Sequence, residues 1–368
     1  MEAVKVGIVG CGNISGIYFK NLCERFTMLK VVACADKDAT RAREASADYS
    51  GVETLSVDDL MARPDIDIVL NLTTPKAHFA VSMQAVEAGK SIYCEKPITL
   101  NRRQAQQLLA TARRRKVLVG NAPDTFLGAG IQTCRKLIDE GWIGTPVAAT
   151  AFMTSRGHES WHPDPEFYYQ PGGGPMFDMG PYYLTALVNL LGPIRKVSGS
   201  ARISMPERII TSAKKYGTRI AVEVPTHVAG TLDFANGAVC SIITSFDVWG
   251  ANLPHIEIHG THGSLSVPNP NTFGGPVAVK RAGAKTFKEI PLTHPYETNS
   301  RGLGVADMAC ALRHRRSLRA SGELAAHILD CMHAFNDSSE AEAHIRLAST
   351  CCQPCPMPMN QLPGQPFD

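Results

Sequence analysis

The sequence predicts an α/β domain with a parallel sheet, followed by an α+β domain with an open, predominantly antiparallel sheet. Three observations support this. Short apolar runs alternate with helical periodicity over the first 120 residues, and a glycine-rich turn follows the first run. After about residue 121 the strand-like stretches are longer, and Asn236-Gly237 between two of them is typical of a hairpin. A length of 368 residues with 44% hydrophobic content suffices for two cores.

The first domain is predicted over residues 1–122. Its apolar runs predict five buried strands, at Val4–Val9, Val31–Ala35, Ile66–Leu70, Ser91–Cys94 and Val117–Gly120. The segments between them have helical periodicity. Because fully apolar strands with helical crossovers form parallel sheets covered on both faces, this half of the chain is predicted to be an α/β layer structure.

The second domain is predicted over residues 123–345. It begins with a helix over about 129–140, and strands are expected at 146–154, 221–234, 238–248 and 256–267. Two late helices, at about 304–315 and 321–338, are expected to pack back between the domains. Residues 346–368 are rich in proline and cysteine and are predicted to be an extended or partly disordered tail.

Charge and hydropathy exclude several classes of partner. The chain has 37 basic and 34 acidic residues, a formal net charge of +3, so we expect no nucleic-acid or membrane-surface partner. A run of about 18 apolar residues, which a membrane span needs, is lacking. Residues 1–5 lead directly into a strand instead of a signal sequence. We therefore expect a soluble, cytoplasmic protein.

Cysteine usage predicts reduced thiols. Eight of the eleven cysteines lie in apolar segments and are expected to be buried, namely Cys11, Cys23, Cys34, Cys94, Cys134, Cys240, Cys310 and Cys331. Cys351, Cys352 and Cys355 have metal-like spacing but lack a second pair of ligands, so we expect no metal site.

The stretch GIVGCGNISG, residues 7–16, predicts a dinucleotide site because it follows a strand and opens a helix. Gly10 permits the tight turn, and Gly12 lets the backbone approach a pyrophosphate at the helix N-terminus. Ser15 takes the place of the third glycine of the motif. Asp36 ends the second strand, where a carboxylate binds the adenosine ribose and repels a 2′-phosphate. We therefore predict NAD, while the neighbouring Lys37 leaves NADP open.

A second polar segment ends the fourth predicted strand at Glu95-Lys96-Pro97, on the edge of the sheet where a cofactor binds. A lysine there can stabilise the alkoxide that develops as a hydroxyl loses hydride. The alternative is an ordinary surface lysine before a loop.

A third segment, QPGGGPMFDMGPYY at residues 170–183, becomes helical near Asp178. Asp178 and Tyr182 are four residues apart, which on one helix places both side chains on the same face. Asp178 can then orient a proton-transferring group or a sugar hydroxyl. The alternative is an aspartate N-cap followed by core tyrosines.

A candidate sugar-binding loop covers residues 156–171, RGHESWHPDPEFYYQP. Arg156, His158, Trp161 and His162 combine an aromatic surface with hydrogen-bond donors, which is what sugar binding requires. The alternative is a loop folded on its own aromatic residues. We interpret His227 as a sheet histidine with satisfied hydrogen bonds.

The glycine turn, the EKP segment and the GGG...D.G segment, in this order, resemble the Gfo/Idh/MocA family of glucose-fructose oxidoreductase and inositol dehydrogenase. The resemblance covers residues 6–338. It implies a Rossmann domain, a second domain on an open antiparallel sheet, and NAD(P)-dependent oxidation or reduction of a sugar, cyclitol or related polyol. It also implies assembly, as a homodimer or homotetramer, through the exposed face of that sheet.

The resemblance further implies which residues form the site. Gly10, Gly12, Asn13 and Ile14 would line the pyrophosphate and Asp36 the adenosine ribose. Thr73, Thr74, Pro75 and His78 would lie on the nicotinamide side. Glu95 and Lys96 would reach the nicotinamide ribose and the reacting hydroxyl, and Asp178 would contact the substrate.

The chain departs from the family at residue 182, where the usual pattern has a histidine that acts as general base. A tyrosine pKa of about 10 matches neutral pH poorly, unless a cation such as Lys96 stabilises the phenolate. We therefore predict that Lys96 and Tyr182 form the proton-transfer pair and that Asp178 orients it. A histidine from the 156–171 loop is the alternative.

These residues predict an NAD(P)-dependent sugar or polyol dehydrogenase. Two alternatives stay open from the sequence. One is a redox-neutral, NAD-dependent glycoside-processing enzyme, and the other is a regulator that senses NAD or sugar without turnover.

Overall fold

The computed structural model describes residues 2–359, 362, 364 and 365. The chain divides into two compact units. Unit 1 comprises Met1–Gln132, Thr293–Ala326 and Pro354–Asp368, and unit 2 comprises Thr133–Leu292 and His327–Gln353. This division differs from the predicted continuous blocks 1–122, 123–345 and 346–368. The segment Thr293–Ala326 belongs to unit 1 because hydrogen bonds connect it to the first part of the chain. The amide of Asn121, for example, donates to the carbonyl of Ala320 at 3.0 Å.

The described helices are α1 (Ser15–Glu24), α2 (Ala39–Ser46), α3 (Val57–Ala62), α4 (Pro75–Glu87), α5 (Arg102–Arg115), α6 (Ala129–Asp139), α7 (Gly174–Asp178), α8 (Gly180–Leu191), α9 (Leu303–His314) and α10 (Gly322–Ala341).

The described strands are β1 (Val4–Val9), β2 (Leu29–Ala35), β3 (Glu53–Leu55), β4 (Ile68–Asn71), β5 (Ser91–Cys94), β6 (Val119–Asn121), β7 (Pro146–Thr154), β8 (Ile194–Arg202), β9 (Glu207–Ile209), β10 (Arg219–Ala221), β11 (His227–Phe234), β12 (Val239–Ser245), β13 (Ile256–Gly260), β14 (Gly263–Val267), β15 (Val277–Arg281), β16 (Lys288–Ile290) and β17 (Ile345–Arg346).

Unit 1 is built on a parallel sheet of six strands in the order β3-β2-β1-β4-β5-β6. β4 and β5 are buried along their length, and β1 is buried except at its second residue, Lys5, because both faces of the sheet are covered. This strand order is the Rossmann order. It places the carboxyl ends of β1 and β4 side by side, at the point where the order of the strands along the sheet reverses. The predicted parallel α/β domain is confirmed.

Unit 2 is built on a sheet of nine strands in the order β16-β15-β14-β13-β7-β12-β11-β8-β17. β7 and β12 run parallel, and the other described neighbours in this sheet run antiparallel. The predicted hairpin joins β11 and β12 at Asn236-Gly237, where the Asn236 side chain accepts from the amide of Ala238 at 3.0 Å. The predicted open, mostly antiparallel sheet is confirmed.

Three of the four strands predicted in the second domain have different bounds. The 256–267 stretch forms two strands, β13 and β14, because the chain turns at residues 261–262. The 221–234 stretch is divided between the end of β10 and β11, and β10 pairs with β9 in a separate two-stranded sheet. The 238–248 stretch is shorter, since β12 ends at Ser245.

The helix predicted around Asp178 is broken. α7 ends at Asp178, Met179 lies between the helices, and α8 begins at Gly180. Proline in the first turn of α8 explains the break, since Pro181 donates no amide hydrogen bond to a preceding turn. The expectation that Asp178 and Tyr182 lie on one face of a single helix is therefore wrong, and so is the alternative of an aspartate N-cap, because Met179 occupies that position.

The tail runs without helix or strand over the described residues 351–359. Within unit 1, the amide of Met357 donates to Oε1 of Gln132 at 2.8 Å, and its carbonyl lies 3.1 Å from Nε2 of His294. Arg319 donates from Nε to the carbonyl of Cys355 at 3.2 Å. This part of the tail is thus extended and held by hydrogen bonds.

Seven of the eight cysteines expected in the core are buried, whereas Cys23 is exposed on the outer side of α1. Burial raises the pKa of the Cys351 thiol to about 12.

Within the described ranges, no helix is long and apolar enough to cross a membrane, and no set of three or more His, Cys, Asp or Glu side chains is placed to bind a metal ion.

Candidate functional site

The glycine turn of unit 1 connects β1 to α1. Gly10 has a φ of +100°, and a Cβ on it would lie 2.7 Å from the amide nitrogen of Thr73, so glycine is required there. A Cβ on Gly12 would meet nothing within 4 Å, so its backbone faces open space. Asn13 and Ile14 follow as exposed residues directly before α1. The turn therefore offers exposed backbone at a helix N-terminus, which is a site for a phosphate.

Asp36 is held against this turn. Its Oδ2 accepts from the amide of Cys11 at 2.8 Å, and its Oδ1 accepts from the amide of Asp38 at 2.9 Å. Both bonds fix the carboxylate at the end of β2, beside the turn. Each carboxylate oxygen retains a second lone pair, with which it can accept a ribose hydroxyl.

The segment after β4 is ordered by Asn71, which is fully buried. Its side-chain oxygen accepts from the hydroxyl of Thr73 at 2.6 Å, and its side-chain nitrogen donates to the carbonyl of His78 at 3.1 Å. Thr74 is the N-cap of α4, and Pro75 is its first residue. Asn71 thus shapes the loop that carries the predicted nicotinamide-side residues.

His78, in the first turn of α4, is 1% exposed. Its Nδ1 lies 2.6 Å from the carbonyl of Pro97, and its Nε2 lies 2.9 Å from the carbonyl of Thr73. Burial lowers the pKa of His78, so the neutral ring donates to one of the two carbonyls. The imidazole connects the Thr73 loop to the segment after β5. It would therefore support a cofactor site by positioning these two backbone segments.

Glu95 and Lys96 follow β5 at the same edge of the sheet. The hydroxyl of Tyr18 donates to Oε1 of Glu95 at 2.7 Å, and the amide of Lys96 donates to Oε2 at 3.0 Å. Asn121 donates from its side chain to the carbonyl of Glu95 at 3.1 Å. The segment that carries half-buried Lys96 is therefore held within unit 1 by Tyr18 and Asn121. Sequence reasoning did not identify Tyr18 or Asn121, because neither belongs to a recognised motif.

These unit 1 residues fit NAD. The open backbone at Gly12 and the amides at the start of α1 would hold the pyrophosphate, and Asp36 would hold the adenosine ribose. The first turn of α1, Ser15 to Tyr18, has no charged side chain, so no carboxylate there would repel a bound phosphate. The donor and acceptor set thus matches a dinucleotide with a free 2′-hydroxyl.

In unit 2, the structure brings two predicted residues together. Nε2 of His158 lies 3.3 Å from Oδ2 of Asp178, and both side chains are about nine-tenths buried. Asp178 is the last residue of α7, and His158 belongs to the loop after β7. Tyr182, also buried, lies in the first turn of α8. The contact of His158 with Asp178 was not predicted from the sequence, which offered a histidine of the 156–171 loop only as an alternative proton-transferring residue.

The 156–171 loop packs its aromatic residues on one another. His158 stacks on Tyr168 with a 3.8 Å separation of ring centroids, and Trp161 lies 5.2 Å from His158. His162 accepts at Nδ1 from the amide of Asp164, and burial lowers its pKa. Trp161 remains 62% exposed, so the loop is internally packed and still presents one indole.

Arg156 does not join this stack. Its guanidinium lies 3.5 Å from the ring centroid of Trp249, an indole that is 79% exposed. Trp249 was not identified from the sequence, although a tryptophan in the loop after β12 is a signal of an exposed aromatic surface. His227 lies in β11 with Nδ1 2.9 Å from the hydroxyl of Ser245, as interpreted from the sequence.

A buried arginine that sequence reasoning also missed fastens the loop. Arg208 donates to Oε1 of Glu159 at 2.7 Å and to the carbonyl of Arg156 at 3.1 Å. Its other terminal nitrogen donates to the carbonyl of Phe246 at 2.9 Å and to the Asp247 carboxylate. One side chain from β9 thus joins the loop after β7 to the segment that follows β12.

Comparisons with known proteins show the family of the chain. Residues 4–122 match the model described as "Oxidoreductase family, NAD-binding Rossmann fold", and residues 131–266 match the GFO/IDH/MocA C-terminal domain. The chain is 28% identical over 301 residues to 1,5-anhydro-D-fructose reductase of Ensifer adhaerens, covering 79% of this chain and 84% of that protein. It is 27% identical over 291 residues to inositol 2-dehydrogenase of Rhizobium meliloti (strain 1021), covering 78% and 82%.

The fold is also that of a solved levoglucosan dehydrogenase in complex with NADH and L-sorbose. The TM-score is 0.80 at 21% identity, and the match covers 95% of this chain and 100% of that chain. Both halves of the chain are thus matched in the order expected. The chain carries an NAD-binding Rossmann domain and belongs to the Gfo/Idh/MocA family of oxidoreductases.

Proposed function

We propose that the protein is an NAD-dependent oxidoreductase that transfers hydride between nicotinamide and a carbinol carbon of a sugar, cyclitol or related polyol. The observation that carries the proposal is the position of Lys96, directly after β5, on the same carboxyl edge as the Gly10–Gly12 turn of an NAD-binding domain. The names of the relatives, an anhydro-sugar reductase and an inositol dehydrogenase, support a ring polyol as substrate.

When bound, NAD supplies the hydride acceptor for the carbinol carbon. The hydroxyl of that carbon must at the same time lose its proton, so that a carbonyl forms and the atoms balance. We propose that Lys96 and Tyr182 form the proton-transfer pair: the Lys96 ammonium stabilises the developing alkoxide, and Tyr182, present as the phenolate, accepts the proton and becomes a phenol. Asp178 orients the hydroxyl by accepting a hydrogen bond.

The proposed cofactor contacts follow the geometry of unit 1. Gly10, Gly12, Asn13 and Ile14 would hold the pyrophosphate, Asp36 the adenosine ribose, and Glu95 the nicotinamide ribose. Thr73, Thr74 and Pro75 would line the nicotinamide side. We propose NAD over NADP because the Asp36 carboxylate would repel a 2′-phosphate.

The proposed substrate contacts lie in unit 2, where Arg156, His158, Trp161, His162 and Asp178 combine exposed aromatic surface with donors and acceptors. We also propose assembly as a homodimer or homotetramer through the open face of the nine-stranded sheet. Val239, which is 46% exposed and pairs with Ala148 of the adjacent strand β7, supports this face as an apolar contact. Light scattering after gel filtration would measure the mass of the assembly.

The proposal is tested with a panel of aldoses, cyclitols, linear polyols and glycosides, each incubated with NAD⁺ or NADP⁺ while absorbance at 340 nm is followed. We expect NADH to accumulate with a cyclic polyol or sugar. Lys96→Met should abolish this signal, whereas Lys30→Met, which removes an exposed lysine of the same unit, should retain it. Product formation without net NADH would instead indicate a redox-neutral reaction, and equal activity of both variants would contradict the role of Lys96.

A further inference from the structure

We propose that His158 is a positioning residue, which holds the Asp178 carboxylate in the orientation that meets the substrate hydroxyl. This inference rests on the proposed function, because Asp178 is there the hydroxyl acceptor. It concerns a contact between two segments twenty residues apart, the loop after β7 and the end of α7. The reasons are the hydrogen bonding of the imidazole, the packing of its ring and the anchoring of its backbone.

The hydrogen bonding selects one tautomer of His158. Nδ1 is buried and has no hydrogen-bond partner within the described part of the chain, while Nε2 lies 3.3 Å from Oδ2 of Asp178. A proton on Nδ1 would leave a buried N–H unpaired and would bring two acceptors together at Nε2. A proton on Nε2 instead places an N–H donor 3.3 Å from Oδ2 of Asp178. These contacts favour the Nε2–H tautomer.

The ring plane is fixed by aromatic neighbours. Tyr168 stacks on His158 at 3.8 Å with 12° between the planes, and Phe246 packs edge-on at 4.7 Å. A ring held on its face and at its edge cannot turn about χ2 without losing both contacts. The direction of the Nε2–H bond, and with it the preferred orientation of the Asp178 carboxylate, is therefore set by packing.

The backbone of the loop is anchored as well. The amide of His158 donates to the hydroxyl of Tyr169 at 3.3 Å, and that hydroxyl donates to Oε2 of Glu159. Glu159 is in turn paired with buried Arg208 at 2.7 Å. This chain of contacts connects the position of His158 to the Arg208 cluster, so the imidazole is placed by a rigid support.

Two variants of His158 separate donor chemistry from packing. His158→Phe retains an aromatic ring against Tyr168 but removes the donor, whereas His158→Gln retains a terminal N–H donor without the ring. The loss of a hydrogen bond to a charged group should lower kcat of H158F roughly 10- to 100-fold. The KM for NAD should stay at the wild-type value, because the cofactor contacts lie in unit 1. H158Q should retain a larger fraction of kcat than H158F.

A second readout does not need cofactor or activity. In the protein labelled with ¹⁵N-histidine, long-range ¹H–¹⁵N spectra report the tautomer of each imidazole, and the His158 signals are those absent from H158Q. We expect the Nε2–H tautomer, and a change of the His158 signals in Asp178→Ala. An Nδ1–H tautomer, or His158 signals that are unchanged in D178A, would overturn the proposal.

The outcomes distinguish this inference from the proposed function. If the wild type oxidises a polyol and H158F keeps wild-type kcat, the positioning role is overturned and the proposed function stands. If no compound of the panel is oxidised and the His158 signals still change in D178A, the proposed function fails. The contact between His158 and Asp178 then stands without it. If circular dichroism shows that H158F does not fold, the positioning role is tested by the spectra of D178A and by the kcat of H158Q.

Discussion

The hydroxyl of Tyr18 on α1 donates to Oε1 of Glu95, 77 residues later in the chain, at 2.7 Å. Burial raises the pKa of Tyr18, so the phenol is a neutral donor. Glu95 also accepts from the amide of Lys96. The orientation of the carboxylate next to the proposed lysine is therefore set partly by a residue of the first helix.

The variant Tyr18→Phe is expected to weaken cofactor binding. Removal of one donor to a charged, partly buried carboxylate costs about 1.5 to 3 kcal/mol, which corresponds to a Kd for NADH roughly 10- to 100-fold higher. NADH fluorescence titration measures this Kd. Tyr216→Phe, which removes the hydroxyl of a 76% exposed tyrosine of unit 2, is the control. An unchanged Kd for NADH in Y18F would show that Glu95 does not depend on Tyr18.

Cofactor preference is predicted to depend on Asp36. In Asp36→Asn the negative charge that repels a 2′-phosphate is gone, and the acceptor for the ribose hydroxyls is weakened. We expect the ratio of kcat/KM for NADP to that for NAD to rise roughly tenfold or more. Asp48→Asn, a change of an exposed aspartate in the same unit, should leave the ratio unaltered. The same ratio in both variants would argue against a ribose contact of Asp36.

Proton transfer is predicted to depend on Tyr182. If its phenol exchanges the proton of the substrate hydroxyl, Tyr182→Phe should lower kcat roughly 10²- to 10⁴-fold, the usual contribution of general acid-base catalysis. The KM for NAD should not change. Stopped-flow measurement of NADH formation is suitable because it separates chemistry from product release.

The neighbouring tyrosine is the matched control. Tyr183 also lies buried in α8, but its hydroxyl lies 3.2 Å from the carbonyl of Phe152 and 3.0 Å from Nδ1 of His255. Y183F is expected to lower Tm and to leave kcat near the wild-type value. Nearly full turnover in Y182F would remove Tyr182 from the chemistry and leave Lys96 as the proton-transferring candidate.

The strands of unit 1 were predictable because burial on both faces leaves a continuous apolar run. β1 and β5 have the predicted bounds, Val4–Val9 and Ser91–Cys94. β3 was missed, since it has three residues and none of them is buried. The break at Met179 had a signal, Pro181, that the four-residue spacing of Asp178 and Tyr182 obscured.

The candidate site was predictable where it follows a motif and not where it depends on tertiary contact. Gly10, Asp36 and Lys96 were identified from their places after strands. The 3.3 Å contact of His158 with Asp178 joins a loop to a helix end, and periodicity carries no information about such pairs. Arg208 is a further example, because its two carboxylate partners, Glu159 and Asp247, lie 49 and 39 residues away.

A buried carboxyl in unit 1 makes stability depend on pH. Oδ2 of Asp124 accepts from the amides of Gly302 and Gly304 at 2.9 and 3.0 Å, at the start of α9. Burial raises the pKa of Asp124 to about 6, although these two hydrogen bonds and Arg301 act in the opposite direction. The folded state therefore holds the proton of this carboxyl more tightly than the unfolded chain, in which an aspartate has a pKa of about 3.9.

The sign of the effect follows from linkage. The contribution of Asp124 is fully present below about pH 4 and is lost as the pH rises through 6, so unfolding should become easier over this range by about 3 kcal/mol. Asp124→Asn keeps an acceptor oxygen and does not titrate. Since every other group titrates in both proteins, the difference in Tm between variant and wild type, measured from pH 4 to 8, isolates Asp124. We expect Tm of D124N relative to wild type to increase between pH 4 and 6 and to level off above pH 7, whereas a constant difference would show that the carboxyl keeps an ordinary pKa.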